Sequence, residues 1–173
     1  MSLPPLQSFD RCCLHTMTTK PWSLSQAVAK YAAAGIKGIT VWRQWLDGWE
    51  LPAARRAITD AGLVAVSVAR GGFFPARTAQ GRRQAIDDTR RAVDEAAAIG
   101  APLVVLVCGA DPGQPLVESR QQIEDAISAL LPHAQASGVT LAVEPLHPMY
   151  ANDRSAINTL KQANDLCDRL AHP

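Results

Sequence analysis

The sequence predicts an α/β protein in which five strand–helix units build one parallel sheet. The first observation is a junction that occurs four times: an alanine-containing helical stretch ends in glycine, and an apolar run follows within three residues. The second is the helical spacing of apolar residues between these runs. Strands that alternate with helices form parallel sheets, because each helix returns the chain to the edge where the next strand begins.

The predicted strands follow the junction glycines. A first strand at 12–16 precedes the first helix. The other four come after Gly35, Gly62, Gly100 and Gly138, since glycine readily takes the left-handed conformation that ends a helix. Their ranges are 38–42, 63–68, 103–107 and 139–143. Continuous apolar runs of this length are typical of buried parallel strands.

The predicted helices lie between these strands. Ser23 to Gln26 matches a capping box at the start of the first helix. Asp153 and Ser155 are interpreted as caps of the fifth helix, and Arg154 between them as solvated. Each helix carries an apolar stripe at helical spacing. The stripes comprise Leu24, Ala27, Val28 and Tyr31; Ile58 and Ala61; Ile86, Ala92, Val93 and Ala96; Ile123, Ile127, Leu130, Leu131 and Ala134; and Ile157, Leu160, Leu166 and Leu170.

Two parallel architectures fit this order of elements. A doubly wound sheet of five strands is complete at this length, whereas a TIM barrel needs eight strands over about 250 residues. A nucleotide-binding doubly wound protein carries a glycine-rich phosphate loop after its first strand, and this sequence has none there. The spacing of the junction glycines is typical of barrel units. Periodicity alone leaves the choice open.

The composition is that of a globular protein. Hydrophobic residues make up 47% and charged residues 19% of the 173 residues, and the net charge is +1. Without a cluster of Lys and Arg, binding to nucleic acid or to a membrane surface is not expected. The apolar runs are too short to span a bilayer. The N-terminus lacks an export signal and the four cysteines suit reduced thiols, with Cys108 filling space, so we expect a cytoplasmic protein.

Polar residues follow the predicted strands. In either architecture functional groups gather at the carboxyl ends of parallel strands. These ends carry His15, Trp42, Arg70 and the segment from Glu144 to His147. The sequence therefore predicts a polar site at one end of an otherwise apolar sheet.

Glu144 is the strongest candidate in this set. It follows the strand 139–143, and Pro145 after it cannot extend the hydrogen-bond ladder. A carboxylate here suits a hard divalent cation or the abstraction of a proton beside a carbonyl. The alternative is a glutamate that pairs with an arginine or caps a helix.

Four further residues are candidate substrate contacts, each with a structural alternative. His15 lines the mouth or is a satisfied core histidine, and Trp42 stacks on a sugar face or packs against the rim. Arg70 pairs with a substrate carboxylate or phosphate, or it bridges adjacent loops. His147 donates to a substrate hydroxyl or orients Glu144, or else it packs between two prolines.

The fifth predicted strand and the loop after it resemble those of a known family. The segment Leu-Ala-Val-Glu-Pro-Leu-His-Pro-Met-Tyr at 141–150 resembles the xylose-isomerase-like superfamily of TIM barrels, and the resemblance extends from about His15 to Leu170. Three other strings are similar to its sugar phosphate isomerase/epimerase branch: Val41-Trp42-Arg43, Arg70-Gly71-Gly72-Phe73-Phe74-Pro75 and Asn152-Asp153-Arg154-Ser155. The resemblance implies that residues 1–173 form one partial TIM-barrel domain, the N-terminal five units, with strands six to eight absent.

The resemblance also implies a chemistry. Family members bind Mn²⁺, Mg²⁺, Co²⁺ or Zn²⁺ through Glu, Asp, His and Glu from strands five to eight, and two glutamates move a proton through a cis-enediolate. Glu144 matches the first metal ligand and one of these two catalytic residues. The other ligands are expected beyond Pro173, and one carboxylate does not define a tight site, so we expect weak or no metal binding. The implied partner is a small sugar or polyol.

Three functions stay open. The leading one is a sugar isomerase or epimerase, the second is a dehydratase or isomerase of the inositol pathway, and the third is an inactive truncated half-barrel. An apurinic endonuclease is disfavoured, because the sequence offers no basic rim and only four histidines. An open sheet leaves unpaired edge strands, so self-association is also expected.

Overall fold

The described part of the protein contains one five-stranded parallel sheet. The computed structural model describes residues 8–151 and 153–171. Residues 1–7, 152 and 172–173 lie outside the described residues. The prediction that the chain lacks an export signal falls partly on residues 1–7, and Asn152 belongs to one of the strings that resemble the family. The strands follow one another in the order β1 to β5. Their bounds are Cys13–His15, Gly38–Trp42, Val64–Gly72, Leu103–Val107 and Thr140–Val143.

Each strand is followed by one α-helix. The helices α1 to α5 span Leu24–Ala33, Leu51–Asp60, Ala79–Ile99, Leu116–Ala136 and Leu160–Leu170. Consecutive strands pair in parallel, so each of the helices α1 to α4 connects two neighbouring strands. The predicted fold class, five (β/α) units of a parallel sheet, is confirmed. None of the helices in the described ranges has the length and apolar character needed to cross a membrane.

The local signals at helix ends behave as predicted. Ser23 and Gln26 form the capping box, with the Gln26 amide donating to Ser23 Oγ at 3.3 Å and the Ser23 amide donating to Gln26 Oε1 at 2.9 Å. All four junction glycines have positive φ, and Gly100 is the clearest case at 78°. Its amide donates to carbonyls of the last turn of α3, which ends the helix at a defined residue.

The core lies between the sheet and the helices. Alternate residues of the central strands point to the helices and are fully buried, as expected for the covered face of a parallel sheet. The strand residues with no exposed surface are Ile39, Val41, Val68, Val104 and Leu106. Burial of each such side chain contributes about 1.5–3 kcal/mol, so this layer fixes how the strand ends are arranged.

The third strand carries an irregularity that matters for the site. Its register with β4 pairs Ala69 with Val105 and then Gly71 with Leu106, which leaves Arg70 without a partner in the ladder. An extra residue of this kind bends the strand and turns a side chain away from its regular direction. Arg70 is therefore placed by a bulge close to the end of β3.

The fifth helix begins later than predicted. Its N-terminal cap is Thr159, whose Oγ1 accepts from the Gln162 amide at 3.1 Å. The interpretation of Asp153 and Ser155 as caps was wrong. Leu160, assigned to the apolar stripe, is 73% exposed.

The loop before α5 is instead fastened to the sheet. Ser155 forms an isolated parallel bridge with Gly109, and its buried hydroxyl accepts from the Ile157 amide at 3.1 Å. Ile157 is buried but precedes the helix. The strand-like pairing of this loop explains why the helix starts well after Ser155.

Candidate active site

The carboxyl ends of the strands bring the predicted polar residues to one edge of the sheet. His15 is the last residue of β1 and Trp42 the last of β2, Arg70 lies near the end of β3, and Glu144 directly follows β5. Since all pairings are parallel, these ends face the same way. His147 lies further along the loop that follows Glu144.

His15 and Trp42 form a direct pair. The indole Nε1–H of Trp42 donates to Nδ1 of His15 at 3.2 Å. A neutral His15 therefore carries its proton on Nε2, where it can act as a donor. The side chain is exposed, so the core-histidine alternative does not hold. Below it, Tyr31 donates from its hydroxyl to the His15 carbonyl at 3.0 Å.

Buried Thr16 fixes the backbone at this pair. Its Oγ1 accepts from the Trp42 amide at 3.0 Å, and the residue has no exposed surface. A buried amide without an acceptor costs roughly 1–3 kcal/mol. The hydroxyl thus keeps the end of β2 beside the end of β1, which places the indole of Trp42 at the rim.

Arg43, which follows Trp42, belongs to the scaffold. Its guanidinium donates to Glu95 at 2.7 and 3.0 Å and to Asp88 at 2.8 and 3.2 Å, both on α3. Although burial lowers its pKa, the hydrogen bonds and charges of these two carboxylates raise the pKa above its ordinary value overall. The β2–α2 loop is therefore clamped to α3. No local pattern in the sequence indicates these partners, which lie 45 and 52 positions away.

Arg70 contrasts with Arg43. Its guanidinium carbon lies 4.2 Å from the ring centre of Phe73 and 5.9 Å from that of Trp42. Within residues 8–151 and 153–171 no carboxylate lies within 4 Å of it. Burial lowers the pKa of Arg70, the charge of Arg154 lowers it further, and the charge of Glu144 acts in the opposite direction.

Phe73 is held in position by an unusual backbone. It has a φ of 56° although it is not glycine, and its amide donates to the Val107 carbonyl at 2.9 Å. The preceding Gly72 has a φ of 113°, and a Cβ atom there would lie 2.1 Å from the same carbonyl oxygen. Strained residues often support functional sites, so Phe73 joins the candidate set. Sequence reasoning assigned it no role.

Glu144 is anchored through its backbone, and its carboxylate is exposed. Its amide donates to the Leu106 carbonyl at 3.0 Å, one step beyond the last pair of β5. The residue is exposed, and within the described ranges its carboxylate forms no ion pair. Within the described residues Glu144 is therefore not paired with an arginine, contrary to the alternative interpretation.

Cys108 lies beneath this rim and is fully buried. Burial raises the pKa of its thiol to about 12, with smaller contributions from Cys167 and Glu144. The thiol therefore stays protonated at neutral pH and is a poor nucleophile. This agrees with its interpretation as a residue that fills space.

His147 caps a short helical turn. Its Nδ1 accepts from the Met149 amide at 3.2 Å, at the start of the 3₁₀ turn Pro148–Tyr150. A neutral His147 then carries its proton on Nε2. The side chain is exposed, which does not suit the alternative of a residue packed between prolines.

A second arginine, Arg154, lies in the loop after β5. The guanidinium carbon of Arg154 lies 5.0 Å from the ring centre of Tyr150. Its carbonyl accepts from the Gly109 amide at 3.0 Å, which ties this loop to the end of β4. Its side chain is 60% exposed, as the solvated interpretation expects, but its charge influences Arg70.

The match to a family model decides the relationship of this chain to known proteins. The model described as Xylose isomerase-like TIM barrel matches residues 28–173. The chain belongs to this family. Among curated proteins, no match to this xylose isomerase-like chain is found.

Solved structures show the same relationship. Protein SMc04130 from Sinorhizobium meliloti 1021 is 44% identical, with a TM-score of 0.87, and the match covers 91% of the chain and 58% of that protein. The xylose isomerase-like chain therefore spans less than two thirds of the length of this relative. The sheet corresponds to the N-terminal part of a TIM barrel, which decides between the two architectures left open by periodicity.

Two more distant structures share the fold. The IolI protein, solved with a binding zinc atom, is 18% identical with a TM-score of 0.78, and the match covers 92% of the chain and 59% of that protein. The D-psicose 3-epimerase from Clostridium cellulolyticum H10, solved with D-tagatose, is 11% identical with a TM-score of 0.79, over 92% of the chain and 60% of that protein. A sugar epimerase is thus represented among the structural neighbours.

The described residues do not by themselves fit a divalent metal. Across residues 8–151 and 153–171 there is no group of three His, Cys, Asp or Glu side chains that could hold an ion. A Mg²⁺- or Mn²⁺-type site needs near-octahedral oxygen ligation with several fixed ligands. Glu144 is one ligand of the right type, and a single carboxylate does not meet that requirement.

Proposed function

We propose that this xylose isomerase-like chain belongs to a sugar isomerase or epimerase in which Glu144 moves the proton. The observation that carries the proposal is the position of Glu144. Its exposed carboxylate stands immediately after β5, at the same sheet edge as His15, Trp42 and Arg70. The proposal treats residues 1–173 as one partial barrel domain.

The surrounding residues suit the handling of a sugar. His15 and His147 each have Nδ1 occupied as an acceptor, which leaves Nε2–H to donate to hydroxyl or carbonyl oxygens. The indole of Trp42 offers an apolar face for the C–H side of a sugar ring. Glu144 forms no ion pair within the described residues, so its carboxylate is available as a base. These features support substrate contacts for His15, Trp42, Arg70 and His147, with Glu144 as the acid–base group.

Proton exchange with solvent tests this proposal directly. We expect the chain in D₂O to incorporate deuterium at the carbon beside the carbonyl of D-psicose, D-tagatose or D-fructose, measured by ¹H NMR with and without Mn²⁺. Replacing the base, Glu144→Gln, should lower the exchange rate by roughly 10²- to 10⁴-fold.

A matched variant controls for charge. Glu50 is an exposed glutamate at the start of α2 whose side chain makes no capping hydrogen bond, so Glu50→Gln should leave exchange unchanged. Equal exchange rates in the wild type and in Glu144→Gln would contradict the role of Glu144. Absence of exchange for every sugar in both metal conditions would contradict the isomerase or epimerase function itself.

A further inference from the structure

A hydrogen bond between Trp42 and His15 selects one tautomer of the histidine. The indole Nε1–H of Trp42 is only a donor, so Nδ1 of His15, which lies 3.2 Å from it, is the acceptor. A neutral imidazole accepts through the nitrogen that carries no proton and donates through the other one. The bond to Trp42 therefore keeps the His15 proton on Nε2 whenever the ring is neutral.

The indole of Trp42 is itself held in place. Trp42 is the last residue of β2, and its amide donates to Oγ1 of the buried Thr16, just after β1, at 3.0 Å. From the opposite neighbouring strand, β3, the guanidinium carbon of Arg70 lies 5.9 Å from the centre of the indole ring. Because the donor is restrained in advance, little side-chain entropy is lost when it bonds to His15.

The main chain of His15 is fixed as well. Tyr31, which is buried on α1, donates from its hydroxyl to the His15 carbonyl at 3.0 Å. His15 also pairs with Thr40 in the ladder between β1 and β2. With the main chain and Nδ1 both held, Nε2 is the polar ring atom left for a ligand, and His15 is exposed at the end of its strand.

A histidine held in this way is suited to donate a hydrogen bond and not to take up a proton. Its outward nitrogen already carries a proton, and the electron pair on Nδ1 is used by the Trp42 N–H group. The matching atom of a ligand is an acceptor, that is, a carbonyl or hydroxyl oxygen. His15 thus differs from the exposed carboxylate of Glu144, which accepts protons when it is ionised.

We infer that Trp42 is a positioning residue, which holds His15 as an Nε2–H donor to an oxygen atom of the ligand. The inference rests on the proposed function for the identity of that ligand as a sugar. It deepens that function in two respects. His15 binds the sugar without acting as a base, and Trp42 acts on His15 through its N–H edge in addition to offering the face of its ring.

The tautomer of His15 is measured by ¹⁵N NMR without any ligand. Long-range ¹H–¹⁵N spectra at about pH 8.5, where histidine side chains are ordinarily neutral, distinguish the protonated from the unprotonated ring nitrogen. We expect the wild type to carry the His15 proton on Nε2 alone. Trp42→Phe keeps an aromatic ring but lacks the N–H group, so its His15 signals should shift towards a mixture of both tautomers. His147 is an internal reference, because the Met149 amide occupies its Nδ1 in both proteins.

A double-mutant cycle separates positioning from stacking. The affinities for D-fructose and D-psicose are measured by isothermal titration in the wild type, Trp42→Phe, His15→Ala and the double variant. Loss of the hydrogen bond to His15 should weaken binding roughly three- to tenfold in Trp42→Phe. In the His15→Ala background the same replacement should weaken binding less than about twofold, because no imidazole is left to position.

Trp49→Phe is the matched control. It removes a half-buried indole from the loop before α2 and should leave the His15 signals and the sugar affinities unchanged. A wild type with the proton on Nδ1, or His15 signals that are the same in the wild type and Trp42→Phe, would overturn the inference. Equal effects of Trp42→Phe in the two backgrounds would also overturn it, since they indicate that only ring stacking contributes. The wild-type spectrum keeps the test decisive if Trp42→Phe fails to fold.

The outcome is distinguishable from that of the proposed function. Deuterium exchange together with a His15 tautomer that does not depend on Trp42 removes the positioning role and leaves the isomerase or epimerase proposal standing. Sugar binding that shows the expected coupling, without deuterium exchange for any sugar, supports the positioning role and removes the isomerase or epimerase proposal. If neither sugar binds to the wild type, the donor role of His15 is contradicted.

Discussion

At the residue scale, two arginines on neighbouring strand ends have different tasks. The guanidinium of Arg43 forms hydrogen bonds to Asp88 and Glu95 on α3. The guanidinium of Arg70 stacks on Phe73 and has no carboxylate partner in the described ranges. In the sequence both arginines lie close to the end of an apolar run. Only the three-dimensional partners separate a scaffold residue from a candidate binding residue.

Arg43→Met should destabilise the protein. It leaves two partly buried carboxylates without their common partner, and we expect the free energy of unfolding to fall by about 1–3 kcal/mol, allowing for the exposed half of Asp88. Urea unfolding followed by circular dichroism measures this. Arg91→Met, which breaks only an exposed pair with Asp88, should change it by less than about 0.5 kcal/mol.

The ion pair between Arg43 and Asp88 predicts that the free energy of unfolding depends on pH. Although burial raises the pKa of Asp88, hydrogen bonds from Arg43 and Arg91 lower it below its ordinary value of 3.8 overall. A depressed pKa means that the stabilisation is present above the ordinary pKa and is lost as the pH falls through the folded-state pKa. The difference in the free energy of unfolding between the wild type and Arg43→Met should therefore become smaller below about pH 4. A constant difference throughout the acid range would contradict this assignment.

The sequence predicts which side chains reach the rim but not what they touch. His15, Trp42 and Glu144 follow from the rule that parallel strands end at one edge. The hydrogen bond between His15 and Trp42 and the stacking of Arg70 on Phe73 depend on rotamers and on the β3 bulge. Neither leaves a periodic signal in the sequence.

At the scale of elements, the turn after β3 is the most constrained segment near the site. Gly72 packs against the Val107 carbonyl and precedes Phe73, so it decides where the ring under Arg70 lies. Two separate physical effects act there, the positive φ and the lack of space for a Cβ atom. Another glycine allows these effects to be separated.

Gly72→Ala should be much more harmful than Gly48→Ala. Both glycines have positive φ, at 113° and 78°, but a Cβ atom at Gly48 meets nothing within 4 Å. Strain in φ alone costs roughly 1–2 kcal/mol, so Gly48→Ala should fall in that range. Gly72→Ala adds a backbone clash and should cost more than about 4 kcal/mol or prevent folding. Similar unfolding midpoints for the two variants would show that the backbone around Gly72 can shift to accommodate a Cβ atom, which would contradict the prediction.

Elements differ in how far the sequence predicts them. The places of the strands and the ends of the first four helices follow from local signals, namely glycine at the junctions and apolar runs after it. The end of β3 does not, because this strand continues to Gly72 and not only to residue 68 as predicted. The start of α5 does not, because Ser155 pairs with Gly109 and the Leu146 amide donates to the Ile157 carbonyl at 3.0 Å. These contacts come from residues that are distant in the chain, and they override the capping preference of Ser155.

At the scale of the whole molecule, the surface beside the edge strand β5 is a candidate for association. In the described residues β5 pairs only with β4. Next to its free edge, α4, β5 and α5 line an apolar groove of about 320 Å³ that includes Leu131, Leu141, Val143 and Leu170. Free backbone groups beside apolar side chains favour pairing with another chain.

We expect the 173-residue chain to self-associate through this edge. Light scattering over a range of concentrations should show a mass that rises above that of a monomer. Thr140→Lys places a charge on an exposed position of β5, and edge charges oppose strand pairing, so this variant should remain smaller at every concentration. Ser128→Lys adds the same charge at an exposed position of α4 and should behave like the wild type. A stable wild-type monomer at all concentrations would mean that neither the free edge nor the groove drives association, and equal assembly of both lysine variants would place the contact elsewhere.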